Sequence, residues 1–136
     1  MPDVKNPSPT LNLVLWIVQG LLAVMYIGTA FWKVLTPIPT LAGMIPWAGQ
    51  VAPAFLYFTG LADLAGGLGL ILPDATRILP RLTVAAAVGT VALQVSAIVF
   101  HFSRGEYGNT PFNFFLVGAG LFVAWGRLVK APITPR

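Results

Sequence analysis

The chain has no cysteine and a single histidine, and only 9% of its 136 residues are charged. Without cysteine it can form no disulfide, no thiol redox centre and no cysteine-ligated metal or iron–sulfur site. One histidine cannot build a histidine-rich metal site, so we expect no metal and no intrinsic cofactor. Soluble domains carry about 25% charged residues, so this deficit, together with 57% hydrophobic residues, predicts an integral membrane protein.

The excess of basic residues does not indicate nucleic-acid binding. The formal net charge is +4, but the lysines and arginines are scattered at the boundaries of apolar stretches, where membrane topology explains them. The predicted partners are therefore the lipid bilayer and other membrane protein subunits, with no nucleic acid.

Four apolar stretches are long enough to cross a bilayer, which takes about 20 helical residues. We predict an all-α protein in which these spans form a four-helix bundle over residues 11–129, between a disordered tail at 1–10 and a second tail at 130–136. Residues 40–51 are predicted to lie at the membrane interface, and residues 73–81 to form a tight polar loop. The predicted spans are 11–35, 54–72, 82–102 and 111–128.

The distribution of basic residues predicts the orientation of the bundle. Six of the eight fall on the side of the two termini and two on the opposite side. The positive-inside rule then places both termini in the cytoplasm, and we expect the protein in a bacterial cytoplasmic membrane. The six are Lys5, Arg77, Arg81, Arg127, Lys130 and Arg136; the two are Lys33 and Arg104.

A carboxylate in the middle of the second span is the most costly residue of the chain. Asp63 lies within a glycine-rich apolar stretch, where a charged group costs about 3 kcal/mol or more. Tyr26 and Gln94 fall within about one helical turn of the same depth, and both can donate hydrogen bonds to a carboxylate. These three residues form the predicted polar core. Asp63 could either stabilise the bundle through these partners or serve a functional site.

A second group of polar residues lies toward the opposite side from the termini. Lys33 is predicted to be roughly 15 Å too shallow to reach Asp63 if both helices are straight, which favours a role at the membrane interface. His101 could relay protons at the mouth of the bundle or simply lie at the interface. The predicted outer rim consists of Lys33, His101, Arg104 and Asn113.

Several short blocks of the sequence together carry a family resemblance. They are Phe31-Trp32-Lys33, the stretch from Gly60 to Pro73, Thr76 to Pro80, Phe100 to Glu106, and Asn113. In this order and spacing the chain resembles the DoxX-like family of small four-span membrane proteins. The family usually has Glu where this chain has Asp63, so the carboxylate here is drawn closer to its own helix.

The resemblance implies a four-helix membrane bundle but no single activity. We predict an accessory subunit of a larger membrane redox or electron-transfer complex, with no catalytic activity of its own. One alternative is a quinone-linked oxidoreductase component with an outward-facing polar site around Asp63, in which a quinone or a lipid is the ligand. The other is a transporter for a small solute or protons.

Overall fold

The computed structural model describes residues 8–108 and 110–136, and in these residues it is helical with no β-strand. Four of its helical stretches are long and apolar enough to cross a membrane, which confirms the predicted all-α, four-span architecture. The helices are α1 (Pro9–Leu35), α2 (Ile38–Met44), α3 (Pro53–Thr76), α4 (Arg81–Ser103) and α5 (Thr110–Trp125). A 3₁₀ turn, Pro46–Gly49, follows α2, and a π-helical turn, Gly126–Lys130, follows α5 directly.

The first helix begins two residues before the predicted start of its span. Ser8 caps it by accepting a hydrogen bond from the Leu11 amide at 3.3 Å, and Pro9 occupies the first turn, where a missing N–H costs nothing. Residues 1–7 of the predicted disordered tail lie outside the described residues.

The second span extends further than predicted. The helix continues through Pro73 and Asp74 to Thr76, so the predicted loop over 73–81 begins too early. It ends where Arg77 and then Leu79 adopt left-handed backbone angles, with φ of 60° and 50°, a conformation that stops an α-helix. Asp74 therefore lies on a helix and faces the bundle, where its side chain is buried.

The turn after α3 is held by the C-terminal segment of the chain. Arg77 Nε donates to the Thr134 carbonyl at 2.8 Å, and the Arg136 amide donates to the Arg77 carbonyl at 3.0 Å. The C-terminal segment and this turn consequently lie at one end of the bundle, here called the terminal end, and the start of α1 lies there too, since Asn12 contacts Arg127. The α2 segment and the α4–α5 loop lie at the opposite end, here called the far end.

The four long helices pack in the order α1, α3, α4 and α5 around the bundle, and among neighbouring helices α1 and α5 pack against each other least. Gly67 lets α3 come close to α1: an added Cβ would lie 2.7 Å from Ile27 and 3.1 Å from the Ala23 carbonyl. Gly126 packs directly against Leu15 at the terminal end. Small residues thus set the spacing of the helices.

Two apolar clusters fill the interior. The larger one, at mid-depth, includes Leu22 of α1, Leu70 of α3, Ala87 of α4 and Val123 of α5. The smaller one, at the far end, joins Leu41, Ala48 and Leu56; it fixes α2 and the 3₁₀ turn against the start of α3. The predicted interfacial segment is therefore a short helix and a turn that cover one end of the bundle.

Candidate functional site

A cavity of about 350 Å³ occupies the far half of the bundle. All four long helices and the segment before α3 contribute to its walls. Aromatic rings make up much of the wall, from Trp32, Trp47, Phe55, Phe100 and Phe112. Six of the seven residues that the sequence singled out also line it, namely Tyr26, Lys33, Asp63, Gln94, His101 and Asn113.

The carboxylate of Asp63 pairs with Lys33 across the α1–α3 interface. Lys33 Nζ lies 2.8 Å from Asp63 Oδ2 and 3.3 Å from the Thr59 hydroxyl oxygen, and 5.6 Å from the centre of the Trp47 ring. The Lys33 and Asp63 side chains are 12% and 5% exposed. We call these two residues the cavity pair. It places a positive and a negative group side by side on one wall.

This pairing corrects the predicted depth of Lys33. An added Cβ at Gly60 would lie 3.6 Å from the Lys33 Cβ, so Lys33 is level with Gly60. Asp63 is three residues further along α3, about 4.5 Å at the rise of an α-helix, which is within reach of a lysine side chain. The prediction estimated the depth of each residue from the assumed ends of its span. It therefore missed the shift of α1 along α3 that brings Lys33 level with Gly60.

The predicted hydrogen bonds from Tyr26 and Gln94 to Asp63 are not formed. Instead, Gln94 Nε2 donates to the Tyr26 hydroxyl at 2.9 Å, and Asn113 Nδ2 donates to Gln94 Oε1 at 2.6 Å. These two side-chain hydrogen bonds link α5, α4 and α1, and all three residues line the same cavity as Asp63. Asn113 therefore belongs with Tyr26 and Gln94 and not with a separate outer rim.

At the far end of the cavity, His101 contacts an acidic loop residue. His101 Nδ1 lies 3.0 Å from Glu106 Oε1, and Arg104 Nε donates to the same oxygen at 3.0 Å. Hydrogen bonds from Arg104 and His101 hold the pKa of Glu106 below its ordinary value. Arg104 also hydrogen-bonds Gln50, so it ties the loop to the segment before α3 without lining the cavity.

The arrangement suits a flat, mainly apolar ligand with polar atoms at its edge. Aromatic walls bind the body of such a molecule, and a few placed polar groups fix its orientation. Lys33 can donate to a carbonyl oxygen, and Asp63 can accept from a hydroxyl group. No group of three or more His, Asp or Glu side chains that could hold a metal ion occurs within residues 8–108 and 110–136.

A second polar cluster, at the terminal end, was missed by the sequence reasoning. Arg127 Nε lies 3.3 Å from Asp74 Oδ2 and donates to Gln19 Oε1 at 2.7 Å. Gln19 Nε2 in turn donates to Asp74 at 3.0 Å, and Arg127 Nη1 donates to Asn12 at 2.7 Å. We call Asn12, Gln19, Asp74 and Arg127 the terminal cluster. Arg127, interpreted from sequence as a topology determinant, is a buried structural residue.

The spacing of the sequence contained a signal for this cluster. Asp74 follows Asp63 by eleven residues, close to three helical turns, so both lie on one face of α3. Gln19 precedes Tyr26 by seven residues, close to two turns, and is on the same stripe of α1. The signal was lost because Pro73 suggested that the helix had already ended.

A scan against protein-family models matches residues 17–124 to the DoxX-like family. The chain belongs to that family. The match starts within α1 and ends within α5, so it includes every residue that lines the cavity. The family resemblance predicted from sequence is thereby confirmed. Searches of curated proteins and of solved structures gave no match.

Proposed function

We propose that this DoxX-like protein binds the head group of a lipophilic quinone in its far-end cavity, as a non-catalytic subunit of a larger membrane redox complex. The observation that carries the proposal is the cavity pair: a lysine and a carboxylate exposed to an aromatic-walled cavity within the bilayer span. Ionisable groups inside membrane spans are costly and are usually retained for function.

The chemistry of a quinone matches this wall. Its oxidised form presents carbonyl oxygens, which accept hydrogen bonds from Lys33, and its reduced form presents hydroxyl groups, which donate to Asp63. The flat ring is suited to the aromatic side chains of Trp47 and Phe100, whose rings are 5.9 Å apart in an edge-on arrangement. A volume of about 350 Å³ falls in the range of small-molecule sites.

The apolar layer at mid-depth argues against transport as the function. Leu22, Leu70 and Val123 lie along the helices between the cavity and the terminal cluster. Such a layer separates the two polar regions and disfavours a continuous path for protons or ions. We therefore favour ligand binding over the predicted alternative of a solute or proton transporter.

The cellular setting belongs to the same proposal. The concentration of basic residues at the terminal end supports termini in the cytoplasm, and a bacterial cytoplasmic membrane is the proposed location. A small ligand-binding protein without a redox centre of its own would serve partner subunits that carry the electrons. Native-host extraction with mild detergent, followed by native gel and mass spectrometry, tests this; a lone monomer contradicts it.

Tryptophan fluorescence offers a direct test of quinone binding. Trp32 and Trp47 line the cavity, whereas Trp16 contacts Arg127 at the terminal end and Trp125 is exposed. In a Trp16→Phe/Trp125→Phe parent reconstituted in nanodiscs, decylubiquinone should quench the two remaining tryptophans in a saturable manner. Non-saturable quenching, proportional to quinone in the bilayer, would contradict the proposal.

A matched pair of cavity variants controls for general effects of bulk. Ala97 lines the cavity, whereas Val99 is two residues away on the same helix and 63% exposed. Ala97→Phe should weaken decylubiquinone binding by about tenfold or more, equivalent to about 1.4 kcal/mol, because the ring fills the site. Val99→Phe should leave it unchanged. Equal affinities in the two variants would count against this cavity as the site.

A further inference from the structure

One seam of the bundle is less closed than the other three. α1 packs along α3, α3 along α4 and α4 along α5, but of the four neighbouring pairs α1 and α5 have the least extensive contact. The hydrogen bonds that join α1 to the end of the last span come from Arg127, to Gln19 and Asn12. Within the described residues, no side-chain hydrogen bond and no aromatic contact joins α1 to α5 in the far half.

The cavity lies behind this part of the seam. Thr29 and Trp32 of α1 line it from one side, and Phe112 and Leu116 of α5 line it from the other. Phe112 is 56% exposed, so an apolar side chain at the edge of the cavity also faces the surrounding lipid.

The opposite seam, between α3 and α4, is covered by aromatic side chains at its far end. The Phe55 and Phe100 rings are 6.3 Å apart, and Trp47 packs edge-on against Phe100 from the segment before α3. Nearer the terminal end, Gly69 is close to Ala86, so the two helices are in direct contact there. A groove also lies on this seam, lined by Ala62, Gly66, Gly89 and Leu93. Since α1 and α5 pack against each other less extensively than α3 and α4 do, the α1–α5 seam is the more open side of the cavity towards the bilayer.

We infer that the far half of the α1–α5 seam is a lateral portal, through which the ligand enters from the bilayer and in which its hydrocarbon tail remains. The inference rests on the proposed quinone site and adds the source and shape of the ligand: a membrane-dissolved molecule with an apolar tail. The polar head reaches the cavity pair while the tail lies between Thr29 and Phe112, in contact with lipid.

The absence of cysteine makes the portal testable by cross-linking. Thr29→Cys/Phe112→Cys places two thiols across the α1–α5 seam, and a short bifunctional methanethiosulfonate joins them through bonds that a reductant reverses. Ala65→Cys/Gly89→Cys is the control across α3–α4, since both of its positions line the groove on that seam and neither lines the cavity. Each protein is its own reference before linking and after reduction.

The readout is the rate at which decylubiquinone quenches Trp32 and Trp47 after rapid mixing in nanodiscs. Linking α1 to α5 should slow binding by about tenfold or more, and reduction should restore it, whereas linking α3 to α4 should leave the rate unchanged. Slowing only by the α3–α4 link would overturn the inference. So would no slowing by the α1–α5 link, in which case the seam holds only lipid chains.

The two proposals fail differently in this experiment. Saturable quenching in both unlinked proteins, with a rate insensitive to the α1–α5 link, leaves the quinone site standing and removes the portal. Absence of saturable quenching in both unlinked proteins removes the quinone site, and the portal with it.

Discussion

Within the described residues, two ion pairs of similar composition join the long helices in opposite settings. The Arg127 and Asp74 side chains are 1% and 0% exposed, and hydrogen bonds from Gln19 and to Asn12 surround them. Lys33 and Asp63, in contrast, face a cavity. The comparison shows that a charge inside a membrane span is not by itself a sign of chemistry. What distinguishes the cavity pair is the open space beside it.

The same difference predicts how each pair responds to mutation. An enclosed charge that loses its partner has no water to replace that partner, so removing the partner lowers the free energy of unfolding. A charge beside a cavity can be solvated or can bind a ligand, so the penalty falls mainly on binding. The following predictions test this division, beginning with the largest effect.

Asp74→Asn should reduce the free energy of unfolding by about 3–5 kcal/mol, because it leaves Arg127 buried without an anion. The measurement is equilibrium unfolding by SDS titration in mixed micelles, followed by circular dichroism. The identical substitution at the other site, Asp63→Asn, is the control and should cost clearly less. Similar losses in the two variants would remove the distinction between the pairs.

Asp63→Asn should instead weaken binding of the reduced form, decylubiquinol, about 10- to 100-fold, which corresponds to the loss of a charged hydrogen bond worth about 1.5–3 kcal/mol. Saturable quenching of Trp32 and Trp47 measures the affinity. Arg104→Gln, which removes a charge beside the cavity but not in its wall, should bind as the parent does. An unchanged affinity in Asp63→Asn would make Asp63 a structural residue.

Gly67→Ala should affect both pairs at once, because Gly67 lies between Asp63 and Asp74 on the face of α3 that packs against α1. The added methyl group would be 2.7 Å from Ile27 and 3.1 Å from backbone atoms of α1, so we expect a loss of about 1–3 kcal/mol from overpacking. Thermal unfolding in detergent provides the measurement. Gly118→Ala meets nothing within 4 Å and should not destabilise the protein.

The smallest expected effect is a pH dependence from Glu106. Arg104 and His101 lower the folded-state pKa of Glu106 below the ordinary value of 4.5. The stabilisation of the fold by ionised Glu106 is therefore complete above pH 4.5. It is lost as the pH falls through the lower folded pKa. The melting temperature of the wild type minus that of Glu106→Gln should therefore shrink as the pH falls from 7 to 3. A difference that is constant, or that grows, contradicts this assignment.

The architecture could be predicted from sequence because apolar length alone determines a membrane span. Much of the polar lining of the cavity could be predicted too, since residues such as Tyr26 and Gln94 fall at one depth on polar stripes, but its aromatic wall was not predicted. The hydrogen-bond partners of the side chains within the cavity could not be predicted. Whether Asp63 binds Gln94 or Lys33 depends on how far α1 is shifted along its axis relative to α3. The contact of Gly60 with Lys33 defines that shift, and the periodicity of a sequence contains no information about it.

The terminal cluster was missed by the sequence prediction for a different reason. Pro73 is a strong local signal for the end of a helix, but packing of the next residue, Asp74, against Gln19 and Arg127 outweighs it. Long-range contacts of this kind join residues more than 50 positions apart. A rule that considers only neighbouring residues cannot weigh them.

The distance along the chain between the members of the terminal cluster also constrains how the protein can be made. Asp74 and Gln19 are synthesised before the last span, and Arg127 is at its end. A nascent chain with three spans in the membrane carries the carboxylate of Asp74 without its cation. The enclosed ion pair can form only after α5 has been inserted, which makes it a late contact of assembly.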